Sequence, residues 1–213
     1  MDKISIIIRN KNESEYIGFA IQSCLDFFDK PEIIVVDNNS SDESMDIVQN
    51  FKNRTTIKTA NVEDYKPGSS INVGVNLASN EYILVLSAHT QIINLDFVSV
   101  MKNLKTHKAV FGKQIPVHRG KKVTPGYIWS NFSDNEEVNK FSTIENRLFL
   151  HNAFCFYKKE TLEKFPMPEQ YFGKEDRFWA KDIVEKKHTY LYDPMLKCYH
   201  FWTKNGATWK GLV

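Results

Sequence analysis

The sequence predicts an α/β fold, in which a mainly parallel central sheet is flanked by helices within a single domain. Two observations predict this class. Short β-branched runs alternate along the first half with segments whose apolar residues recur at helical spacing, which is the pattern of βαβ units. The chain of 213 residues, of which 42% are hydrophobic, is also long enough to bury one full core.

The first half of the chain supplies most of the predicted strand–helix pairs. Apolar residues Ile17, Ile21 and Cys24 share one face of the first predicted helix. Ser69 and Ser70 follow a Pro-Gly turn, and we expect them to cap the third helix. The predicted strands are residues 3–9, 32–37, 56–59 and 81–86, and the predicted helices are residues 13–28, 42–51 and 69–80.

The second half is less regular. The connection between residues 116 and 145 has few periodic apolar residues and is longer than ordinary connections. We expect it to be a loop that closes over a bound ligand. The remaining predicted strands are residues 108–115, 148–157, 189–192 and 196–201, and the remaining predicted helices are residues 158–164 and 175–186.

Composition excludes several classes of protein. The net charge of +2 is close to neutral, so we expect no nucleic-acid partner. The basic run at residues 118–122 is interpreted as a solvated loop; the alternative is contact with anionic lipid or with a phosphate-bearing acceptor. Three widely spaced cysteines argue against a disulfide framework or a structural zinc site and suit a reducing compartment.

The ends and apolar runs of the chain predict its location. No run approaches the roughly 18 apolar residues of a membrane span, so we expect no transmembrane segment. The N-terminus opens directly into a predicted strand and has no signal-peptide layout. We therefore expect a cytoplasmic protein, at the inner face of the membrane if the basic run contacts lipid. The chain ends soon after Trp209 without a closing helix, which suggests a catalytic core of a longer protein.

Polar side chains follow the predicted strands of the first half where each strand ends. Arg9 and Glu13 follow the first strand, Asp37 the second, and Ser87 and His89 the fourth. Ligands of open α/β sheets bind beyond the carboxyl ends of the strands, so this distribution predicts a nucleotide pocket at one sheet edge. The simpler interpretation of Asp37 is that it only ends a strand before a helix cap.

Seven short segments form an ordered series along the chain. They are residues 5–13 (SIIIRNKNE), 33–37 (IIVVD) with 40–42 (SSD), 72–74 (NVG), 84–89 (LVLSAH), 112–116 (GKQIP), 173–176 (GKED) with Trp179 and Ala180, and Tyr199 with His200. Their order and spacing resemble those of family 2 glycosyltransferases of the GT-A fold, over about residues 3–202.

The resemblance implies a GT-A-type, Rossmann-like sheet in one domain spanning residues 1–213. Residues 1–90 would form the nucleotide-sugar-binding half, and residues 91–213 the half with the acceptor site and the catalytic base. The implied reaction moves a sugar, with inversion, from a nucleotide-diphosphate sugar (UDP preferred) to a saccharide or lipid-linked acceptor. It implies a divalent metal, Mn²⁺ or Mg²⁺, and a role in surface polysaccharide biosynthesis.

The resemblance also assigns roles by position. Asp37 would bind the base, and Arg9 and Glu13 would line the nucleotide site. The other residues assigned to the nucleotide-sugar site are Asn39, Lys66, Asn72 and Ser87.

The expected metal site departs from the family pattern. Ser87 and His89 stand where the family carries two aspartates. Imidazole is an acceptable ligand for Mn²⁺-like metals, so His89 is a candidate ligand, with His200 and the phosphates of the nucleotide completing the set. The alternatives are that His89 only hydrogen-bonds the diphosphate, that no metal is needed, and that His200 is a packed core histidine.

The candidate base is Asp176. An inverting transfer needs a carboxylate that takes the proton of the acceptor hydroxyl, and the start of a helix favours an ionised acid. Glu175 would orient the acceptor or the base. Trp179 and Asn152 are assigned to the acceptor site, and Trp179 is equally consistent with core packing.

Two other functions remain open. The first is a catalytically inactive nucleotide-sugar-binding module of a larger synthase, which has lost catalysis together with the aspartates. The second is a nucleotidylyltransferase, which would need a glycine-rich loop after the first strand. Residues 9–13 contain no glycine, which disfavours that reading.

Overall fold

The computed structural model describes residues 3–118, 121–122 and 127–204. The middle of the basic run and the C-terminal residues after 204 lie outside these ranges. The strands are β1 Ile4–Asn10, β2 Glu32–Asp37, β3 Thr56–Asn61, β4 Tyr82–Ser87, β5 Thr90–Asn94, β6 Ala109–His118, β7 Lys121–Lys122, β8 Glu137–Val138, β9 Phe141–Ser142, β10 Arg147–Leu148, β11 Phe154–Lys158 and β12 Leu191–Phe201. The helices are α1 Ile17–Phe27, α2 Ser44–Gln49, α3 Pro67–Leu77, α4 Phe97–Asn103, α5 Lys159–Lys164 and α6 Glu175–Glu185, with a 3-10 turn at Tyr127–Asn131.

One large sheet organises the molecule, with strand order β3-β2-β1-β4-β11-β6-β12-β5. The four strands β3, β2, β1 and β4 are parallel, and β11 runs antiparallel between β4 and β6. In this register Asn10 pairs with Asp37, and Arg9 pairs with Ser87. The α/β fold and the meeting of the first, second and fourth strand ends at one edge are therefore confirmed.

Two apolar layers cover the faces of this sheet, because successive residues of a strand point to opposite sides. Ile7 and Val85 pack with helices α3, α5 and α6 on one face. Ile6 and Ile8 pack with α1, α2 and α4 on the other. The central strands are buried on both faces, which explains their continuous β-branched sequences.

Several predicted elements have different bounds. Helix α1 begins at Ile17 rather than at residue 13, because Asn12 adopts a left-handed conformation and Glu13 to Tyr16 form a turn. Helix α3 begins at Pro67, whose fixed φ suits the first helical position. The two serines expected to cap this helix therefore lie inside its first turn.

The end of the chain also differs from the expectation. The two short strands predicted at 189–192 and 196–201 are one strand, β12, with a register shift between Asp193 and Lys197. The strand predicted at 148–157 is limited to β11, because a turn precedes it. Strand β5 and helix α4 were not predicted. Helix α4 has a recognisable cap, since Asp96 accepts a hydrogen bond from Ser99 N at 3.0 Å.

The long connection is structured where the structure describes it. Strand β6 continues to His118, and β8 and β9 pair with β12 and β10. The side chains of Ile128, Trp129 and Phe132 are buried in the core. The expectation of a loop without secondary structure is therefore wrong for the described part, and closure over a ligand stays a prediction. Among the described residues, no helix is both long and apolar enough to cross a membrane.

Candidate active site

Polar side chains from both halves of the chain meet at the carboxyl edge of β1, β2 and β4. Arg9, at the end of β1, donates to Glu175 Oε1 at 3.2 Å. Glu13 lies 3.2 Å from His89 Nδ1, just beyond β4. The first turn of α6 therefore lies against the strand ends, as a site shared by the two halves requires.

The side chain of Asp37, the last residue of β2, binds the loop that follows this strand. Its carboxylate accepts hydrogen bonds from Asn10 Nδ2 at 2.7 Å, from Ser40 Oγ at 2.6 Å and from Ser40 N at 2.9 Å. Asn39 adopts a left-handed conformation, and its amide N–H donates to Asn61 Oδ1 at 3.1 Å. These contacts hold the loop in one shape, with Asp37 buried at its base and Asn39 exposed.

Two histidines lie side by side next to Glu13. The ring centroids of His89 and His200 are 4.7 Å apart, and His200 Nδ1 is 2.8 Å from Gln114 Oε1. Because an amide oxygen only accepts, Nδ1 carries the proton and the lone pair of neutral His200 lies on Nε2. Burial lowers the pKa of His200 well below its ordinary value, and the neighbouring His89 and His151 lower it further. His200 is therefore neutral, the form that can ligate a metal.

The fit to a divalent metal is partial. Among the residues that the structure describes, no group of three or more His, Cys, Asp or Glu side chains could hold a metal. His89 and His200 supply two nitrogen donors, and the buried Oε2 of Glu13 beside them has no hydrogen-bond partner. These residues therefore fit a metal only if oxygens of a bound ligand supply the rest of its coordination.

Glu175 opens helix α6 in a buried position. It accepts from Arg9 Nη1 at 3.2 Å and from Asn152 Nδ2 at 3.3 Å. Burial raises the pKa of Glu175, as does the charge of Asp176, whereas Arg9 opposes the rise. Glu175 thus binds a proton more readily than an ordinary glutamate does.

Asp176 is held by several donors. Its Oδ2 accepts from Asn152 N at 3.1 Å and from Arg177 Nη1 at 2.9 Å, and its Oδ1 accepts from Arg177 N at 2.9 Å. Arg177 is itself buried, donates to Leu150 O at 2.9 Å, and lies 3.1 Å from Glu145 Oε1. The carboxylate of Asp176 is therefore fixed in orientation, and a buried cation balances its charge.

The start of α6 depends on an unusual backbone. Lys174 adopts a left-handed conformation, with φ of 61°, at the residue before the helix. Gly173 precedes it in open space. This turn points Glu175 and Asp176 inward, toward the strand ends.

The two residues assigned to the acceptor site are both buried. Asn152 is 1% exposed and bonds to Glu175 and to Tyr157 OH, at 2.5 Å for the latter. Trp179 is also 1% exposed, and its Nε1 donates to Phe165 O at 2.8 Å. This burial supports the core interpretation of Trp179, and its stacking role at an acceptor site stays a prediction. Asn152 supports the acidic pair and presents no surface to an acceptor.

Lys66 is the N-cap residue of α3, and Asn72 lies in the middle of that helix. Asn72 exchanges two hydrogen bonds with the backbone of Met167, at 2.9 and 3.0 Å. The ammonium of Lys66 lies 5.3 Å from the ring centroid of Phe172. Both residues therefore contact the segment that leads into α6, and their roles at a nucleotide site stay predictions.

The sequence did not reveal three members of the site. His151 lies 6.1 Å from His200, between ring centroids, and burial together with Arg177 and Arg9 lowers its pKa. Arg177 and Glu145 form the ion pair behind Asp176. Arg177 and Glu145 are 32 residues apart, and no sequence spacing predicts a contact between such distant positions. The one signal in the sequence is that Arg177 directly follows two acidic residues.

Comparisons with known proteins identify relatives of this chain. The model of the family described as glycosyl transferase family 2 matches residues 5–165. A GalNAc(5)-diNAcBac-PP-undecaprenol beta-1,3-glucosyltransferase of Campylobacter jejuni is 28% identical over 198 residues, which cover 90% of this chain and 63% of that protein. An O-antigen chain rhamnosyltransferase of Salmonella typhimurium is 24% identical and is covered to 54% of its length. The chain thus spans somewhat more than half of the length of these relatives.

Solved structures show the same fold. Staphylococcus aureus TarS 1–349, in complex with UDP-GlcNAc, superposes with a TM-score of 0.72 at 20% identity, covering 100% of this chain and 62% of that one. A mannosyltransferase from Pyrobaculum calidifontis, in complex with GDP-Man and Mn²⁺, gives a TM-score of 0.70 at 17% identity, with coverage of 96% and 58%.

Proposed function

This chain belongs to glycosyl transferase family 2, and on that premise we propose that it moves a sugar, with inversion, from a nucleotide-diphosphate sugar to a saccharide or lipid-linked acceptor. The observation that carries the proposal is the contact of Arg9, at the end of β1, with Glu175 of the buried acidic pair that opens α6, together with the contact of Glu13 and His89 just beyond β1 and β4. This edge is where an open α/β sheet binds its ligand.

The donor would lie across the ends of β1, β2 and β4. Asp37 would accept hydrogen bonds from the base, at the foot of a loop that is already ordered. Burial alone would lower the pKa of Arg9, but Tyr65 and the acidic pair raise it, so this guanidinium stays positive beside the leaving diphosphate. We propose UDP as the nucleotide, which the UDP-GlcNAc complex of TarS supports. The mannosyltransferase complex contains GDP-Man, so GDP is the second candidate.

Asp176 would act as the catalytic base. In this mechanism its carboxylate takes the proton of the acceptor hydroxyl, the acceptor oxygen bonds to the anomeric carbon, and the nucleoside diphosphate leaves from the opposite face. Arg177 and Asn152 N orient the carboxylate for that transfer. Glu175, with its raised pKa, would orient the acceptor beside it.

A divalent metal would be held by His89 and His200 together with the phosphates of the donor. When bound, it would neutralise the charge that develops on the leaving diphosphate. Mn²⁺ suits two imidazole ligands better than Mg²⁺ does, and Mn²⁺ is present in the mannosyltransferase complex.

The names of two relatives support a biological setting for this chain. The Campylobacter protein is named for an undecaprenol-diphosphate-linked saccharide, and the Salmonella protein for the O-antigen chain. We therefore place this chain in surface polysaccharide biosynthesis, in the cytoplasm at the inner face of the membrane. A binding-only module of a larger synthase is the second candidate, because Ser87 replaces an expected aspartate.

Calorimetric titration of UDP, GDP and dTDP, each with and without Mn²⁺, tests the donor site. One nucleotide should bind in the presence of Mn²⁺ and lose about tenfold or more in affinity in His89→Ala. His107→Ala is the matched control, because His107 contacts Thr189 Oγ1 at 2.8 Å outside this site. If nucleotide affinity is unchanged by Mn²⁺ and by His89→Ala, the assignment of His89 as a metal ligand is wrong. If wild type binds none of the nucleotides, the proposed function is wrong.

A further inference from the structure

Phe172 is the most exposed large apolar side chain among the described residues. It is 80% exposed, compared with 55% for Phe19 and 51% for Phe141. Large aromatic side chains bury more apolar area than most residues, so such exposure forfeits a substantial stabilisation. Single exposed apolar side chains are common on protein surfaces, so the case for a ligand contact rests on where Phe172 lies.

The segment that leads to Phe172 is anchored at three residues. Asn72 binds the backbone of Met167, and the ring of Tyr171 stacks on Phe178 of α6 with centroids 3.7 Å apart and planes 10° apart. Pro168 packs directly against Gly68, where an added Cβ would lie 2.2 Å from Pro168 O. These contacts fix the backbone before Phe172, and helix α6 begins three residues after it, so Phe172 has a defined position.

The position of this ring relates it to the proposed site. Phe172 stands three residues before Glu175, at the turn that opens α6. The Lys66 ammonium lies 5.3 Å from the centroid of the ring, at the start of α3. The ring thus lies between the starts of two helices that both border the carboxyl edge of the sheet.

We propose that Phe172 is a stacking platform for a pyranose ring at the entrance of the active site. The C–H face of a pyranose carries a partial positive charge and is apolar, so it suits the negative face of an aromatic ring. This inference rests on the proposed function and adds a sugar contact at an exposed ring, whereas Trp179 is buried. The pyranose is either the donor sugar or a sugar of the acceptor, and the test separates the two sources.

The experiment compares wild type, Phe172→Ala, Phe172→Trp and the control Phe19→Ala, all at exposed positions where folding should survive. The donor arm measures the affinity for UDP, UDP-glucose, UDP-N-acetylglucosamine and GDP-mannose by calorimetry. The acceptor arm measures binding of methyl pyranosides by saturation-transfer NMR. An aromatic contact of ordinary strength predicts a loss of about two- to twelvefold in Phe172→Ala, in one arm, with little change in Phe172→Trp and Phe19→Ala.

Each outcome decides the proposal. A loss that appears with a nucleotide sugar but not with UDP identifies the donor sugar, and a loss restricted to methyl pyranosides identifies the acceptor. Unchanged sugar affinity in Phe172→Ala, or an equal loss for UDP and UDP-sugars, overturns the platform. A wild type that binds no nucleotide sugar contradicts the proposed function instead, and the acceptor arm then decides the platform alone.

Discussion

The carboxylate of Asp176 shares its cation with a second buried acid. Arg177 bridges Asp176 and Glu145, at 2.9 and 3.1 Å, and its guanidinium lies 4.5 Å from the ring centroid of Phe149. All three charged side chains are about 5% exposed. A buried charge that loses its partner is costly, so the carboxylates of Asp176 and Glu145 depend on this arginine for charge compensation.

Removing that arginine should destabilise the fold. Arg177→Met leaves Asp176 and Glu145 buried without their cation, and we expect a loss of about 3–5 kcal/mol in the free energy of unfolding, measured in urea. Arg54→Met is the control, because Arg54 is exposed and should change stability by less than about 1 kcal/mol. Equal effects of the two substitutions would contradict the account of the buried ion pair.

The sequence predicts the position of a site residue only where that residue lies next to a recognisable secondary-structure element. The positions of Arg9, Asp37 and His89 could be predicted because each lies at, or just beyond, a strand end that is visible in the apolar pattern. Arg177 could not, because its partner Glu145 belongs to a distant segment and pairs with it only after folding. The burial of Trp179 could not be predicted either, because helical spacing does not distinguish a core face from a ligand face.

At the scale of elements, helix α3 packs against the segment around Pro168 that leads into α6. Gly68 in its first turn lies so close to Pro168 that an added Cβ would be 2.2 Å from the carbonyl oxygen. A backbone carbonyl cannot move aside as the end of a side chain can. The close contact therefore requires glycine at this position of α3.

Two glycine substitutions test this contact. Gly68→Ala should force α3 and the Pro168 segment apart, with a loss of about 1–3 kcal/mol in the free energy of unfolding. Gly18→Ala in α1 meets its nearest atom, Ile47 Cγ2, at 3.4 Å, and should be neutral or stabilising by up to about 1 kcal/mol. Urea unfolding of both variants measures the difference, and a Gly68→Ala protein as stable as wild type would refute the close packing.

Elements were predicted well where the sheet is buried on both faces. Strand β2 has the predicted bounds, because a fully buried strand needs an unbroken β-branched run. The pair β5 and α4 was missed, since a five-residue strand and a seven-residue helix are too short to show a clear period. Strand β12 was split in two because its register shift interrupts the pattern.

The whole molecule joins two halves through one sheet. Strand β11 runs antiparallel beside β4 and so connects the parallel strands of the first half to β6 and β12 of the second. The proposed base opens α6 in the second half, whereas the proposed donor residues end strands of the first. Donor binding and turnover should therefore be separable by substitution.

The most direct test of the central claim is the rate of nucleoside diphosphate release from nucleotide sugars. It should be measured for wild type, Asp176→Asn and the control Asp182→Asn, with water and methyl pyranosides as acceptors. Asp182 lies on the same helix, is half exposed, and pairs with Lys186 on the surface. We expect Asp176→Asn to bind the donor as wild type does but to turn over about 10²- to 10⁴-fold more slowly, with Asp182→Asn unchanged. Equal rates in wild type and Asp176→Asn would contradict the assignment of the catalytic base, and donor binding without turnover in any protein would identify a binding module.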